Sequence, residues 1–382
     1  MKSPLDEAGI AEVFWDNFRS HGELGASVCV WKEGREILSL AGGHRDRAKT
    51  EEWTSETPVL VWSVTKGLAA VSLLHVCQEQ GVSPLTPVRA FWPEFGEAGK
   101  EGVTIAEVLS HQAGLAALSH AVDAWDHRAV VTALAAEVPN WRLGEGHGYH
   151  PRTMGYLVDE MIRRLTGGVT LKEYWFEQFA KPLGIDVWIG LPESELGRVG
   201  SIFPAKTFPA KDDPFFLAFS QSGSLTARAF GSPQGLFSVA AMNTPEVRMG
   251  SFGAFGGVGT ARGLGKFYGM LAAGGTMEGR RFFREESLEW MTGTRSQGWD
   301  RVLQAETAFG VGLMRDPVDR LGVKLREHFG PSLRAFGHPG AGGSHGFADP
   351  ETGISFAYVM NQMTPGIFPG EKCLRLVKAI YR

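Results

Sequence analysis

Cysteine is scarce: Cys29, Cys77 and Cys373 are the only three in 382 residues. Their odd number and wide spacing exclude a disulfide framework. Each lies in an apolar run, which predicts buried free thiols and a reducing compartment, the cytoplasm. A basic stripe is also missing. With 38 basic against 42 acidic residues the net charge is -4, and it is spread out, so nucleic acid is excluded as a partner. No run of about 18 apolar residues occurs, so no span and no membrane partner are expected. The opening stretch, MKSPLDEAGIAEVFWDNFRSHGEL, carries acids among its apolar residues. It reads as an amphipathic surface helix rather than an export signal. Eleven histidines are present, but there is no H-E-x-x-H and no carboxylate near His147 and His150 with ligand-like spacing. No metal site is expected.

What is present suits a globular enzyme of one large domain or two closely joined ones, since hydrophobic residues make up 43% and charged residues 21%. ASVCVWKEGREILSLAGGHRD reads as two strands around a Lys-Glu-Gly turn. Residues 63–80 are helix formers or small apolar residues on nearly all sides, followed by Gly81 as a stop, so this helix should be buried. A second helix is predicted from Thr104 to near Gly114. A third carries Met154, Leu157, Val158, Met161 and Leu165 on one stripe and stops at the following glycines. Residues 202–250 show weak periodicity and read as a long ordered loop region. GTARGLGKFYGMLAAGG then predicts a helix, SHGFADPETGISFAYVMNQM two strands, and EKCLRLVKAIYR a terminal helix. Strands at both ends with helices between predict an α+β fold, in which one antiparallel sheet is drawn from both termini. The expected division is an α/β lobe of residues 1–85 with 250–382, and a mainly helical lobe with long loops at 86–249.

Ser63 and Lys66 form S-x-x-K, the only such pair in the chain. Three residues apart on a helix places them on one face. A serine hydroxyl becomes a good nucleophile when a neighbour takes its proton, and a lysine can do so once burial disfavours its ammonium form. The competing reading is a capping serine followed by a solvated lysine, and the apolar helix around Lys66 argues against it. Tyr149 lies in the Gly-rich loop GEGHGYHPRTMGYL, ahead of an amphipathic helix. A cationic lysine nearby is expected to ease loss of its phenol proton, making it a general base that later returns the proton. His338-Pro339-Gly340 opens a strand in FGHPGAGGSHGF, where small residues allow close approach to substrate and a backbone N–H could meet an oxyanion.

Together, S-x-x-K at 63, Tyr149 and H-x-G at 338 resemble the three motifs of the class C β-lactamase and penicillin-binding superfamily. LSHQAGL, GTARGLGKFYGML and HPGAGGSHGFADPETGISFAYVMN extend the resemblance through nearly the whole chain, and look most like the family VIII carboxylesterases. The resemblance implies a β-lactamase/transpeptidase-like fold and an acyl-enzyme on Ser63, with Lys66 and Tyr149 sharing the proton work. It also implies an oxyanion hole from the backbone N–H groups of Ser63 and Ala341. Substrate would lie against Trp62, His338 and Gly340, and no cofactor is required. Two departures point away from lactams. Pro151 stands where Tyr-x-Asn has its amide, and His338 replaces the lysine of Lys-Thr-Gly. Polar side chains common before GTAR are replaced by Gly256, Gly257 and Val258. The expected substrate is a small carboxylic ester. The alternatives are a β-lactamase or D-alanyl-D-alanine peptidase, and a non-catalytic scaffold of the same fold.

Gly342-Gly343-Ser344-His345-Gly346 also fits G-x-S-x-G. That elbow needs a strand before it and a helix after it, with an acid and then a histidine later in the chain. Here a strand is expected to follow, so Ser344 is a decoy. Asp212-Asp213 and Glu51-Glu52 read as solvated charges. Most of Trp62, Phe91, Trp92, Trp125, Phe252 and Phe255 are expected in the core.

Overall fold

The computed structural model describes residues 5–382. The chain begins with the amphipathic helix Glu7–Ser20, whose N-terminus is capped by the Asp6 carboxylate accepting from the Gly9 amide. β1 (Gly25–Lys32) and β2 (Arg35–Gly43) then form the expected hairpin. It turns through Glu33 and Gly34, both with positive φ, which gives the tight reversal that right-twisted strands favour. Three short strands, β3 (Val59–Trp62), β4 (Val187–Ile189) and β5 (Gly257–Gly259), form a small sheet of their own. After the two-residue strands β6 (Thr276–Met277) and β7 (Arg280–Arg281) come β8 (Ser296–Trp299), β9 (Glu306–Phe309) and β10 (Met314–Arg315). β11 (Phe336–Pro339), β12 (His345–Asp349) and β13 (Ile354–Met360) complete the set.

Eight of these strands make one antiparallel sheet in the order β2-β1-β13-β12-β11-β10-β9-β8, so strands near the N-terminus pair with the last strand of the chain. Every residue of β13 is buried, so this central strand is covered on both faces. The helix Ala261–Ala272 lies along β1, β12 and β13, its first turn capped by Thr260. The terminal helix Glu371–Ile380 packs beside the first helix. There the buried Lys372 ammonium donates to Glu23 at 2.8 Å, and Tyr358 donates its hydroxyl proton to the same carboxylate.

The helix Val64–Gln80 runs through the middle of the molecule. Its residues 64–77 are all buried, and it packs against β11 on one side and the helix Thr153–Thr166 on another. It ends at Gly81 in the left-handed region. The Thr153–Thr166 helix likewise stops at Gly167, and Met154, Leu157, Val158 and Met161 of its stripe are buried while Leu165 is partly so. Two predicted elements differ. The helix expected from Thr104 to near Gly114 covers only Ile105–Leu109, because His111 has a φ of 63° and turns the chain out of the helical path. Residues 202–250 are not simply loop: they contain the helices Pro214–Ser220, Leu225–Phe230 and Pro245–Met249. Such helices of 5–7 residues span two turns or fewer, too short to display a 3.6-residue period. All three cysteines are free and buried.

Candidate active site

β3 delivers Ser63 through a strained turn. Trp62 has a φ of 50°, a conformation costly for a bulky residue, and Ser63 begins the helix immediately after it. Thr65 pins that turn, donating to the Trp62 carbonyl at 2.5 Å and accepting from the Gly257 amide at 2.8 Å. The glycines before GTAR thereby acquire a reason. A Cβ on Gly257 would stand 2.6 Å from the Thr65 hydroxyl and push the pin aside. Ser63 occupies the N-cap position without using its side chain as a cap, so its hydroxyl is free for other partners.

One of those partners is Lys66. Its Nζ lies 3.3 Å from Ser63 Oγ, 2.7 Å from the Pro151 carbonyl and 2.8 Å from the Ala254 carbonyl. The side chain is fully buried, and desolvation holds its pKa well below the usual lysine range. Three acceptors surround Nζ, the two carbonyls and Ser63 Oγ, and it is burial that favours the neutral amine there. The solvated lysine of the competing reading is not what this helix holds. Pro151, which cannot offer the side-chain amide of a Tyr-x-Asn motif, instead offers its backbone oxygen to the lysine.

Tyr149 is buried above the same lysine, with Lys66 Nζ 4.7 Å from its ring centroid. The sequence-based expectation for its proton is corrected here. The lysine sits over the ring face rather than beside the oxygen, and burial pushes the phenol well above its ordinary pKa, with the Asp300 charge adding to the rise. A hydrogen bond with Ser63 acts in the opposite direction without reversing it. Burial thus favours the protonated phenol at Tyr149 and the neutral amine at Lys66.

His338 is buried beside the phenol. Its Nδ1 lies 2.7 Å from the Pro339 carbonyl, so Nδ1 carries the hydrogen and Nε2 is left to accept from the Tyr149 hydroxyl at 3.4 Å. Burial lowers its pKa to about 3, so it is neutral through the physiological range.

β11 continues into Gly340 and Ala341, and Gly340 lies directly against β3. A Cβ on Gly340 would meet the Val61 carbonyl oxygen at 2.3 Å and Trp62 Cβ at 3.3 Å. That contact holds Gly340 at the end of β11 against the end of β3, next in sequence to Ala341 and Ser63 respectively. Neither the Ser63 nor the Ala341 amide donates to any backbone carbonyl among the described residues. Gly340→Ala is expected to pry β11 from β3, lowering kcat for ester hydrolysis by about tenfold and stability by about 1–3 kcal/mol. Steady-state kinetics with thermal melts checks this, and an unchanged kcat would show that the close approach is dispensable.

Sequence reasoning misses several residues here. Ala254 acts through a carbonyl, which no side chain advertises. His111 packs its ring 4.8 Å from that of Tyr149. The decoy Ser344 is fully buried between β11 and β12, with a strand rather than a helix after it. His147 and His150 part company: His147 meets Thr307 at 2.7 Å, while His150 accepts from the Leu115 amide at 2.9 Å. Of the six aromatics near the motifs, Trp92, Phe252 and Phe255 are buried, Phe91 and Trp62 are partly so, and Trp125 is exposed. Trp62 shares an apolar cluster with Phe252, Phe255, Leu236 and Met363.

Known proteins place this architecture. The chain is 32% identical over 367 residues to the esterase/β-lactamase LipL of Mycobacterium tuberculosis, covering 93% of this chain and 81% of that protein. The crystal structure of a penicillin-binding protein homologue from Caulobacter crescentus superposes with a TM-score of 0.87 at 35% identity, over 99% of this chain and 98% of the other. A family VIII carboxylesterase superposes with a TM-score of 0.88 at 31% identity, over 100% and 99% of the two chains. A β-lactamase family model spans residues 10–376, and the chain therefore belongs to the β-lactamase family, as a serine hydrolase of that fold.

Proposed function

We propose that this protein hydrolyses small carboxylic esters through an acyl-enzyme on Ser63, with Lys66 as the base in acylation and Tyr149 as the acid. The observation that carries this reading is Lys66, fully buried, with its Nζ held by the Pro151 and Ala254 carbonyls at 3.3 Å from Ser63 Oγ. In acylation Lys66 takes the Ser63 proton as Oγ attacks the ester carbonyl. The Tyr149 phenol gives its proton to the departing alkoxide. The intermediate then holds an ammonium at Lys66 and a phenolate at Tyr149. The phenolate takes a proton from water, whose oxygen attacks the acyl carbon, and the ammonium returns its proton to Ser63 Oγ as the ester bond breaks. All protons are accounted for, and water is the only co-reactant. The Ser63 and Ala341 amides would receive the oxyanion, each such donor contributing about 3 kcal/mol to transition-state stabilisation.

The preference for esters over lactams rests on charge. His338 is neutral and turned toward Tyr149, so it offers no cation to a substrate carboxylate. Trp62, Leu236, Phe252 and Phe255 make the neighbouring wall apolar, which favours an uncharged acyl or alcohol group. The name of the family VIII carboxylesterase agrees with an ester substrate, while that of the esterase/β-lactamase relative covers both classes. Parallel assays with p-nitrophenyl butyrate and nitrocefin test it, and ester turnover is expected to exceed lactam turnover by at least about a hundredfold in kcat/KM. Nitrocefin turnover without ester hydrolysis would move the assignment to a lactamase or peptidase. A folded protein that turns over neither, and takes no fluorophosphonate label, would make it a scaffold.

A further inference from the structure

Tyr149 sits in a loop rich in glycine, yet its ring must stay registered over Lys66 and Ser63. What fixes it comes from far along the chain. The hairpin between β8 and β9 carries Asp300, whose side chain is fully buried. Its Oδ1 accepts the Tyr149 amide at 3.0 Å, together with the Val302 amide at 2.9 Å and the Leu303 amide at 2.8 Å. Its Oδ2 accepts from the Thr307 hydroxyl at 3.2 Å. Since Thr307 donates there, it accepts from His147 Nε2 at 2.7 Å. The loop is thus tied to the hairpin on both sides of Gly148. The backbone adds two more ties: the Arg301 amide donates to the His147 carbonyl at 3.2 Å, and the Arg301 guanidinium donates to the Glu145 carbonyl at 2.6 Å.

A buried carboxylate is costly unless its lone pairs are used, and here most are used on backbone N–H groups of two separate loops. An ordinary turn could satisfy Val302 and Leu303 with an Asx-type acceptor alone. The additional capture of Tyr149 joins the turn to the active-site loop across 151 positions of sequence. We propose that Asp300 is the positioning residue for Tyr149, acting through the Tyr149 amide to hold the phenol over Ser63 and Lys66. The proposal rests on the reading of Tyr149 as the proton donor.

A double-mutant cycle tests it, with kcat and KM for p-nitrophenyl butyrate measured on wild type, Tyr149→Phe, Asp300→Ala and the double variant. Asp300→Ala is expected to lower kcat about thirtyfold with KM changed by less than about threefold, the size of effect that a misplaced catalytic group produces. In the Tyr149→Phe background the same change is expected to cost less than about threefold, because the group it positions is already gone. Asp300→Asn keeps the Oδ1 acceptor, and the Thr307 hydroxyl and His147 imidazole can reverse their hydrogen bonds to suit the new amide. That variant is expected within about fivefold of wild type. If Asp300→Ala does not fold, Asp300→Glu takes its place in the cycle, since it retains the charge while moving the carboxylate by one methylene.

Hydrogen–deuterium exchange of the segment 147–150 provides a readout independent of turnover, and it is expected to speed up at least about tenfold in Asp300→Ala or Asp300→Glu. Effects that multiply in the cycle, a folded Asp300→Asn as slow as the alanine variant, or unchanged exchange would each overturn the positioning role. A wild type that fails to turn over the ester sinks the ester reading instead, and the exchange measurement still decides the role of Asp300.

Discussion

Ser63→Ala is expected to lower kcat for p-nitrophenyl butyrate by about five orders of magnitude or more, with the fold intact. The size follows from what the hydroxyl does. Removing a nucleophile that works as a unit with its base costs about as much as removing the whole unit, leaving only the contribution of oxyanion donors and binding. The fold should tolerate the loss because the Ser63 side chain makes no capping bond and its hydroxyl faces Lys66 in a partly open position. Alanine also fits the helical dihedrals at this position, φ -67° and ψ -7°. Far-ultraviolet circular dichroism and a thermal melt should therefore match wild type. Fluorophosphonate should label wild type on Ser63, located by mass spectrometry of the peptide, and leave the variant unlabelled. Turnover persisting in purified Ser63→Ala, or an adduct on Ser344 or any other serine, would remove Ser63 from the mechanism.

The parts of this site legible in the sequence are those in which a side chain does the work at fixed spacing. Ser63 and Lys66 share a helix whose apolar surround was plain, so burial of the lysine followed from the residues flanking it. The β1–β2 hairpin and the Gly81 stop were readable because positive-φ positions call for particular residues. Backbone chemistry carries no such signature. Nothing distinguishes Pro151 or Ala254 as an acceptor for Lys66, and Asp300 reaches Tyr149 only because β8 and β9 fold back beneath the loop. The charge states also depended on packing. Proximity of Lys66 to Tyr149 is a sound expectation, but the lysine faces the ring rather than the oxygen, and burial of the phenol raises its pKa instead. His338 depends on packing in the same way: its residue type marks only a departure from Lys-Thr-Gly, and its burial beside Tyr149 makes it a neutral acceptor.

Lys66→Met is expected to cost about three orders of magnitude in kcat, the upper part of the range for a general base, while largely preserving volume in the helix. Lys66→Arg should be no better, since a guanidinium stays protonated and has no lone pair to offer Ser63. The wild-type rate should fall on acidification as the amine gains its proton and level off at pH values above the lowered pKa of Lys66. The same lowered pKa has a consequence for stability. In the unfolded chain Lys66 binds a proton up to its ordinary pKa of 10.5, whereas in the folded chain it releases that proton at a much lower pH. Between those two values the unfolded state binds more protons, so stability must rise with pH, by up to about 1.4 kcal/mol per unit for one proton. The penalty vanishes above the unfolded pKa and grows as the pH falls toward the folded one. Methionine removes this slope. At a single pH its effect is contested, because the Pro151 and Ala254 carbonyls lose their donor at a cost of about 1–3 kcal/mol each. The slope is free of that ambiguity. Urea unfolding from pH 7 to pH 10 should show wild type gaining stability relative to Lys66→Met across the series. Parallel curves for the two proteins would mean that Lys66 enters the folded state as an ammonium, with no lone pair to offer Ser63.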